Sequence, residues 1–222
     1  MPRDKFFGRI KTMAEENMKN ENESAGERFA GVGSFVLEII KIVILAFVII
    51  VPIRVFLFQP FFVQGDSMKP NFENGEYLII NELGYKRTSL DISNANLFTV
   101  KPWKEVARQE PIVFRYPLDP SKFFIKRVIG LPGEKVEIKN SQIIIYNDSY
   151  PEGFVLDENT YLSKSVKTNS EMAITLKSDE YFVMGDNRSY SSDSRSWGPV
   201  SERDIVGKVA VRAWPLNRIS SF

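Results

Sequence analysis

The chain has no histidine and no cysteine in its 222 residues. Without histidine there is no Ser-His-Asp arrangement, and without cysteine there is no Cys-His nucleophile and no zinc site of the usual Cys- and His-rich kind. The fold therefore uses no disulfide, which is compatible with a domain outside the cytoplasm but does not place it there. An excess of charge of one sign is missing too. Lys and Arg number 29 and Asp and Glu 28, leaving a net charge of +1 and no basic cluster of the kind that tracks phosphates, so nothing points to nucleic acid. No internal repeat or low-complexity tract is present. A hydroxyl nucleophile in this chain has only lysine or a carboxylate to activate it.

What the chain does have is one long apolar run. From Phe35 to Phe58 it is almost wholly apolar, and these 24 residues at ~1.5 Å each are enough to cross a hydrocarbon layer of ~30 Å. The run predicts a transmembrane helix over 34–58. Glu38 and Lys41, three apart, can pair near its start, and Arg54 can snorkel toward the far interface. A cleaved signal peptide fits less well, because the run is too long and no small-x-small site follows it. A buried helix of a soluble domain is the better rival. Residues 1–33 are polar, with six basic residues (Arg3, Lys5, Arg9, Lys11, Lys19, Arg28) against six acidic ones, and read as a disordered tail. Within that tail Phe6, Phe7, Ile10 and Met13 have the spacing of a short helix lying on a membrane surface. Six cations precede the span and only Lys69 falls in the twenty residues after it, which puts the tail in the cytoplasm and residues 59–222 on the outer face.

Beyond the run the pattern is that of a mainly β protein. Short strand-like stretches bounded by Gly, Pro, Asn or Asp cover Glu76 to Asn81, Pro111 to Tyr116, Phe123 to Ile129, Glu180 to Met184 and Ile205 to Ala213. Glu134 to Lys139 and Gln142 to Tyr146 flank Asn140-Ser141 as a hairpin would. Residues 84–108 read as an excursion loop, and about 140–180 as a smaller β region inserted in the main sheet. With 43% hydrophobic and 26% charged residues, the chain can form one anchor and one sizeable core.

Two stretches carry chemistry. Phe61-Phe62-Val63-Gln64-Gly65-Asp66-Ser67-Met68-Lys69-Pro70 holds a serine in a turn directly after the apolar run. Only eight residues separate Phe58 from Ser67, so the hydroxyl lies within ~30 Å of the end of the predicted helix. Taken alone, Gly-Asp-Ser is ordinary turn chemistry. In Phe123-Phe124-Ile125-Lys126-Arg127-Val128-Ile129-Gly130-Leu131-Pro132-Gly133-Glu134, a pair of cations interrupts an apolar, β-favouring run. A cation so placed is either paired or made to lose its charge, since burial can lower a lysine pKa from ~10.4 by up to ~3–5 units. A neutral Lys126 could take the proton of Ser67.

These two stretches, with Gly185-Asp186-Asn187-Arg188-Ser189-Tyr190-Ser191-Ser192-Asp193-Ser194-Arg195-Ser196-Trp197-Gly198-Pro199-Val200, resemble in order and spacing the type I signal peptidases, membrane-bound Ser/Lys endopeptidases. The resemblance covers roughly residues 35–215. It implies cleavage of signal peptides from exported preproteins after small-x-small (Ala-x-Ala) sites, with Ser67 as nucleophile and Lys126 as general base. Ser191 matches the hydroxyl that orients the lysine amine, Asp193 and Arg195 match a charged pair bracing that loop, and Asp186 and Arg188 share in the support. The oxyanion hole falls to the Ser67 backbone N–H and to the Gly65 position, where some members carry a serine hydroxyl and this chain has no side chain. Val63, Gln64, Met68, Phe72, Phe124 and Ile125 are expected to line the substrate site, the substrate adding as a strand alongside Phe61 to Gln64 and Phe123 to Ile125. No cofactor, metal or nucleic acid is implied; the partners are preproteins and the lipid bilayer. A catalytically inert, membrane-tethered β domain that binds exported chains is the alternative, and a penicillin-binding type of hydrolase is excluded because no Ser-x-x-Lys occurs.

Overall fold

The structure, a computed structural model, describes residues 35–50, 58–92 and 95–222. The chain divides into two units, Met1–Ile53 and Arg54–Phe222. In the first, residues 35–50 form a helix (α1) whose large apolar side chains, Phe35 through Ile50, are exposed on all faces. Among the described residues no helix is long and apolar enough to cross a membrane. The tail, and residues 51–57 of the apolar run, lie outside the described residues.

The second unit is built from strands. In chain order they are β1 (Phe58–Phe62), β2 (Tyr77–Asn81), β3 (Thr88–Ile92), β4 (Ala95–Val100), β5 (Pro111–Tyr116), β6 (Asp119–Gly130) and β7 (Lys135–Lys139). Then follow β8 (Gln142–Asn147), β9 (Tyr150–Val155), β10 (Met172–Thr175), β11 (Glu180–Met184), β12 (Val200–Ser201), β13 (Ile205–Trp214) and β14 (Ser220–Ser221), with one helical turn, α2 (Ser194–Trp197), before β12. The main sheet runs β1-β2-β13-β5-β6-β11-β12, with β14 on β13, and a second sheet runs β10-β7-β8-β9. The stretch expected as a loop over 84–108 contains the antiparallel pair β3-β4.

Alternation explains which residues face inward. In β2, Leu78 and Ile80 are buried while Tyr77 is exposed, the two-residue period of a half-covered strand. Strand β5 is central and covered on both sides: Ile112 and Phe114 enter one core with Val128, Val183 and Ile205, while Val113 enters another with Val63, Met68, Phe72 and Val209. The second sheet supplies Val136, Ile138, Ile143 and Ile145 to a third core against Ile129, Phe182 and Met184, each such side chain contributing roughly 1.5–3 kcal/mol by burial. Its first hairpin turns at Asn140 and Ser141, both at positive φ (52° and 62°). That is the two-residue connection whose twist suits paired strands, and Asn is among the few residues that tolerate it.

Two features of the main sheet set up a cleft. Strand β1 is its terminal strand. Strand β6 is twelve residues long, yet β11 pairs with it only at Arg127, Val128 and Gly130. The stretch 119–126 therefore has β5 on one side and an unpaired edge on the other among the described residues. The sheet curls enough to bring these edges face to face, with the Phe61 and Phe123 rings 5.3 Å apart.

Candidate active site

The serine turn is fixed from below. After β1, Val63 exchanges backbone hydrogen bonds with Glu76 and Gly75 (2.9 and 3.0 Å). The chain then turns at Gly65, whose φ of +91° is a conformation that side chains with a Cβ seldom adopt. Gly65 N–H donates to Asn74 Oδ1 at 3.0 Å. That amide is engaged and is not an oxyanion donor, which corrects the expectation placed on Gly65. Ser67 follows, half-buried, and its own backbone N–H makes no hydrogen bond among the described residues. Met68 and Phe72, expected to line the substrate site, are instead core: they are 1% and 0% exposed, and Phe72 packs against the Phe222 ring at 4.9 Å. A turn that must hold a hydroxyl outward anchors itself by the apolar residues that follow.

Strand β6 brings Lys126 to this turn across 59 positions of sequence, with Lys126 Nζ donating to Ser67 Oγ at 2.8 Å and to Ile125 O at 2.9 Å. The side chain is 4% exposed and lies by the Phe124 ring, 5.2 Å from its centroid. No carboxylate is within ion-pairing distance of it among the described residues. Burial pushes its pKa down to about 8, against the pull of Asp193 and Asp186, which act at longer range to raise it. Loss of hydration penalises the ammonium more than two distant carboxylates stabilise it.

The third block wraps behind the serine. Asn187 donates its N–H to Ser67 O and its Nδ2 to Asp66 O, each at 3.0 Å. Gly185 is required by close approach: a Cβ there would lie 2.4 Å from Ser67 O and 2.2 Å from Ser191 Oγ. Neither residue was singled out from sequence, although both sit inside the third block, where a glycine heading a polar loop was the available signal. Ser191 Oγ is buried beside Gly185, lies close enough to Asp193 to help lower its pKa, and makes no hydrogen bond to the lysine amine among the described residues; the orienting bond that the resemblance implies is absent in this conformation. Asp193 and Arg195 do pair, Nε and Nη2 donating to the carboxylate at 2.8 Å each. Burial alone would push the Asp193 carboxyl up, but Arg195 and the Gly185 N–H outweigh it and hold it below the usual range. Asp186 and Arg188 are both buried but serve different partners. Asp186 accepts from Arg127 Nε and Nη2 (2.8 and 2.6 Å) and from Asn71 Nδ2 (2.9 Å), whereas Arg188 binds Glu158 and, at 2.6 Å, Thr168 Oγ1.

Above the Ser67–Lys126 contact opens a cavity of about 700 Å³ whose walls are the two facing strand edges, including Phe61, Val63, Gln64, Phe123, Phe124 and Ile125. Among the expected lining residues Val63, Gln64, Phe124 and Ile125 are there; Met68 and Phe72 are not. Among the described residues no group of three acidic side chains is placed to hold a metal ion. Such a site, a hydroxyl beside a desolvated amine at the end of a groove with open strand edges, has the parts of an acyl-transfer centre acting on an extended peptide.

Comparison with known proteins gives the family. The family model described as signal peptidase, peptidase S26, matches residues 36–214. Signal peptidase IB of Staphylococcus aureus is 31% identical over 193 residues, covering 82% of this chain and 91% of that protein. Signal peptidase I P of Bacillus subtilis subsp. natto is 32% identical over 189 residues, covering 84% and 93%. A crystal structure of a signal peptidase I from Enterococcus faecalis aligns with 30% identity over 48% of this chain and 98% of that one, with a TM-score of 0.40. The chain belongs to the signal peptidase family, peptidase S26, and is a serine endopeptidase.

Proposed function

We propose that the protein cleaves signal peptides from exported preproteins after small-x-small sites, with Ser67 as nucleophile and Lys126 as general base. The observation that carries this reading is the 2.8 Å contact between a serine hydroxyl and a buried lysine that has no carboxylate partner among the described residues. The neutral amine takes the Ser67 proton as Oγ attacks the scissile carbonyl; the resulting ammonium gives that proton to the leaving amine, and a water, deprotonated by the same lysine, then releases the acyl group. The Ser67 backbone N–H, which makes no hydrogen bond among the described residues, is the donor available to the oxyanion. One such donor is commonly worth about 3–4 kcal/mol.

The groove supports the substrate assignment. An extended peptide laid between β1 and the open edge of β6 gains backbone hydrogen bonds on both sides, and the bulky side chains in the wall, Val63, Phe124 and Ile125, favour small side chains at alternate positions of that peptide. The exposed apolar surface of α1, continuing in sequence into residues 51–57, supports a membrane anchor that keeps this chemistry at the bilayer, with the catalytic unit on the outer face. The test is direct: incubate the detergent-solubilised protein with a tagged preprotein and sequence the new N-terminus. A cut after a small-x-small site that disappears in Ser67→Ala supports the reading, and undiminished cutting by Ser67→Ala defeats it. Protease added outside intact cells should digest the region after Phe58 and spare the tail; the opposite pattern would reverse the orientation.

A further inference from the structure

A second cavity, of about 520 Å³, adjoins the first at Tyr190, whose side chain is 81% exposed and lines both. The first cavity takes its walls from the chain leading into the nucleophile, through Ser67; the second begins two residues after it, at Lys69 and Pro70. Asn187, whose backbone N–H holds the Ser67 carbonyl, forms part of the wall of the second. A peptide crossing Ser67 out of the first cavity therefore enters the second.

The two differ in their unpaired charge. Both mix apolar and charged walls, but Lys122 in the first is paired with Asp119, whereas the second presents Lys69 and Lys167 beside Pro70, Val166 and Tyr190. The charges facing the second do not cancel. Asp186 and Arg188 reach it, but Arg127 neutralises the first and Glu158 the second. Lys69 is 3.1 Å from Asp66, an exposed and easily exchanged pair. Lys167 is exposed and makes no ion pair among the described residues. It is nonetheless held in place, because the next residue, Thr168, is 3% exposed and bound to Arg188 through its hydroxyl at 2.6 Å. The backbone N–H of Val166 is likewise tied to Ser163 O at 2.9 Å.

We infer that this cavity receives the segment released with a new N-terminus, and that Lys167, aided by Lys69, gives it a preference for an acidic side chain within the first few residues after the cut. The inference rests on Ser67 being the nucleophile. The unpaired cation of this cavity suits an acidic side chain on the segment that follows the cut. Between exposed charges in water the discrimination is modest, roughly three- to tenfold in kcat/KM at low ionic strength, and salt should shrink it.

The test uses the full-length protein in detergent and peptides identical up to the cut, with Glu or Lys placed in turn at the first, second and third positions after it. The readout is the ratio of kcat/KM for the Glu peptide to that for the Lys peptide. The parent should favour Glu at one of these positions by the stated factor, Lys167→Gln should bring the ratio toward one, and Lys167→Glu should invert it. Ratios near one at all three positions in the parent, or a preference that Lys167→Glu leaves intact, would overturn the inference. Failure of the nucleophile assignment looks different, since cleavage would then persist in Ser67→Ala.

Discussion

Lys126 and Arg127 are consecutive on β6, both cations and both nearly buried (4% and 7% exposed), yet their surroundings are opposite. Strand alternation sends them to different faces. Arg127 meets Asp186 through two hydrogen bonds and stacks 4.1 Å from the Tyr161 ring centroid; Lys126 meets a hydroxyl, a carbonyl and an aromatic face. One environment pairs its charge and the other makes the charge easier to lose. Burial alone therefore does not single out the base we propose; the lack of a counter-ion among the described residues does.

The largest way to break this comparison is at the dyad. Ser67→Ala and Lys126→Ala should each lower preprotein cleavage by roughly three orders of magnitude or more, and the double variant should be no worse, as for groups that act as a unit. Lys126→Arg should be equally inactive, because a guanidinium of pKa above ~12 cannot become a base. A double variant far worse than either single one would dissolve the unit.

Stability should move in opposite directions at the two neighbours. Asp186→Asn strands the Arg127 guanidinium without its counter-charge and should cost about 3–5 kcal/mol in denaturant unfolding. Lys126→Met should instead stabilise the fold at neutral pH by roughly 2–3 kcal/mol, since the folded state there must hold a proton on a desolvated amine. The sign follows from a folded pKa of about 8 below the ordinary 10.5. Between these values the unfolded chain binds the proton and the folded one does not, so the parent gains stability as pH rises from 8 toward 10.5, and its deficit against Lys126→Met should close over that window. A deficit that stays constant from pH 7 to 10 would mean the lysine is not desolvated.

The smallest effect is expected at Ser191, whose buried hydroxyl lies beside Gly185 and makes no hydrogen bond to the lysine among the described residues. Ser191→Ala should reduce kcat by about tenfold or less, with little change in KM. A loss as deep as that of Lys126→Ala would show that Ser191 joins the lysine when substrate is bound.

Much of this was legible in the sequence, for physical reasons that can be named. Strands β5 and β11 carry a continuous apolar signal between turn residues, and the Asn140-Ser141 turn announces itself because few residues accept positive φ. The pair β3-β4 falls where the sequence predicts a loop, because its strands are short and lie in a stretch of mixed, largely polar composition. The apolar run predicts helix through Phe58, whereas the structure starts β1 there, because such a run has no internal mark where helix gives way to strand. Ser67 and Lys126 were found through the company they keep in their motifs. The partners of Asp186 and Arg188 were not, because Arg127 and Glu158 reach them through folding over 59 and 30 positions. Met68 and Phe72 were misplaced for a related reason: proximity in sequence to a nucleophile does not say which way an apolar side chain turns.

The central claim is that Lys126 works as a neutral amine. It is tested most directly by the pH dependence of kcat/KM on a peptide with an Ala-x-Ala site, which reports the ionisation of the free enzyme's essential base. The account predicts an ascending limb with its midpoint near pH 8, set by the lowered lysine pKa. A limb near pH 10 or above, or one that Lys126→Ala retains in its residual activity, would contradict it.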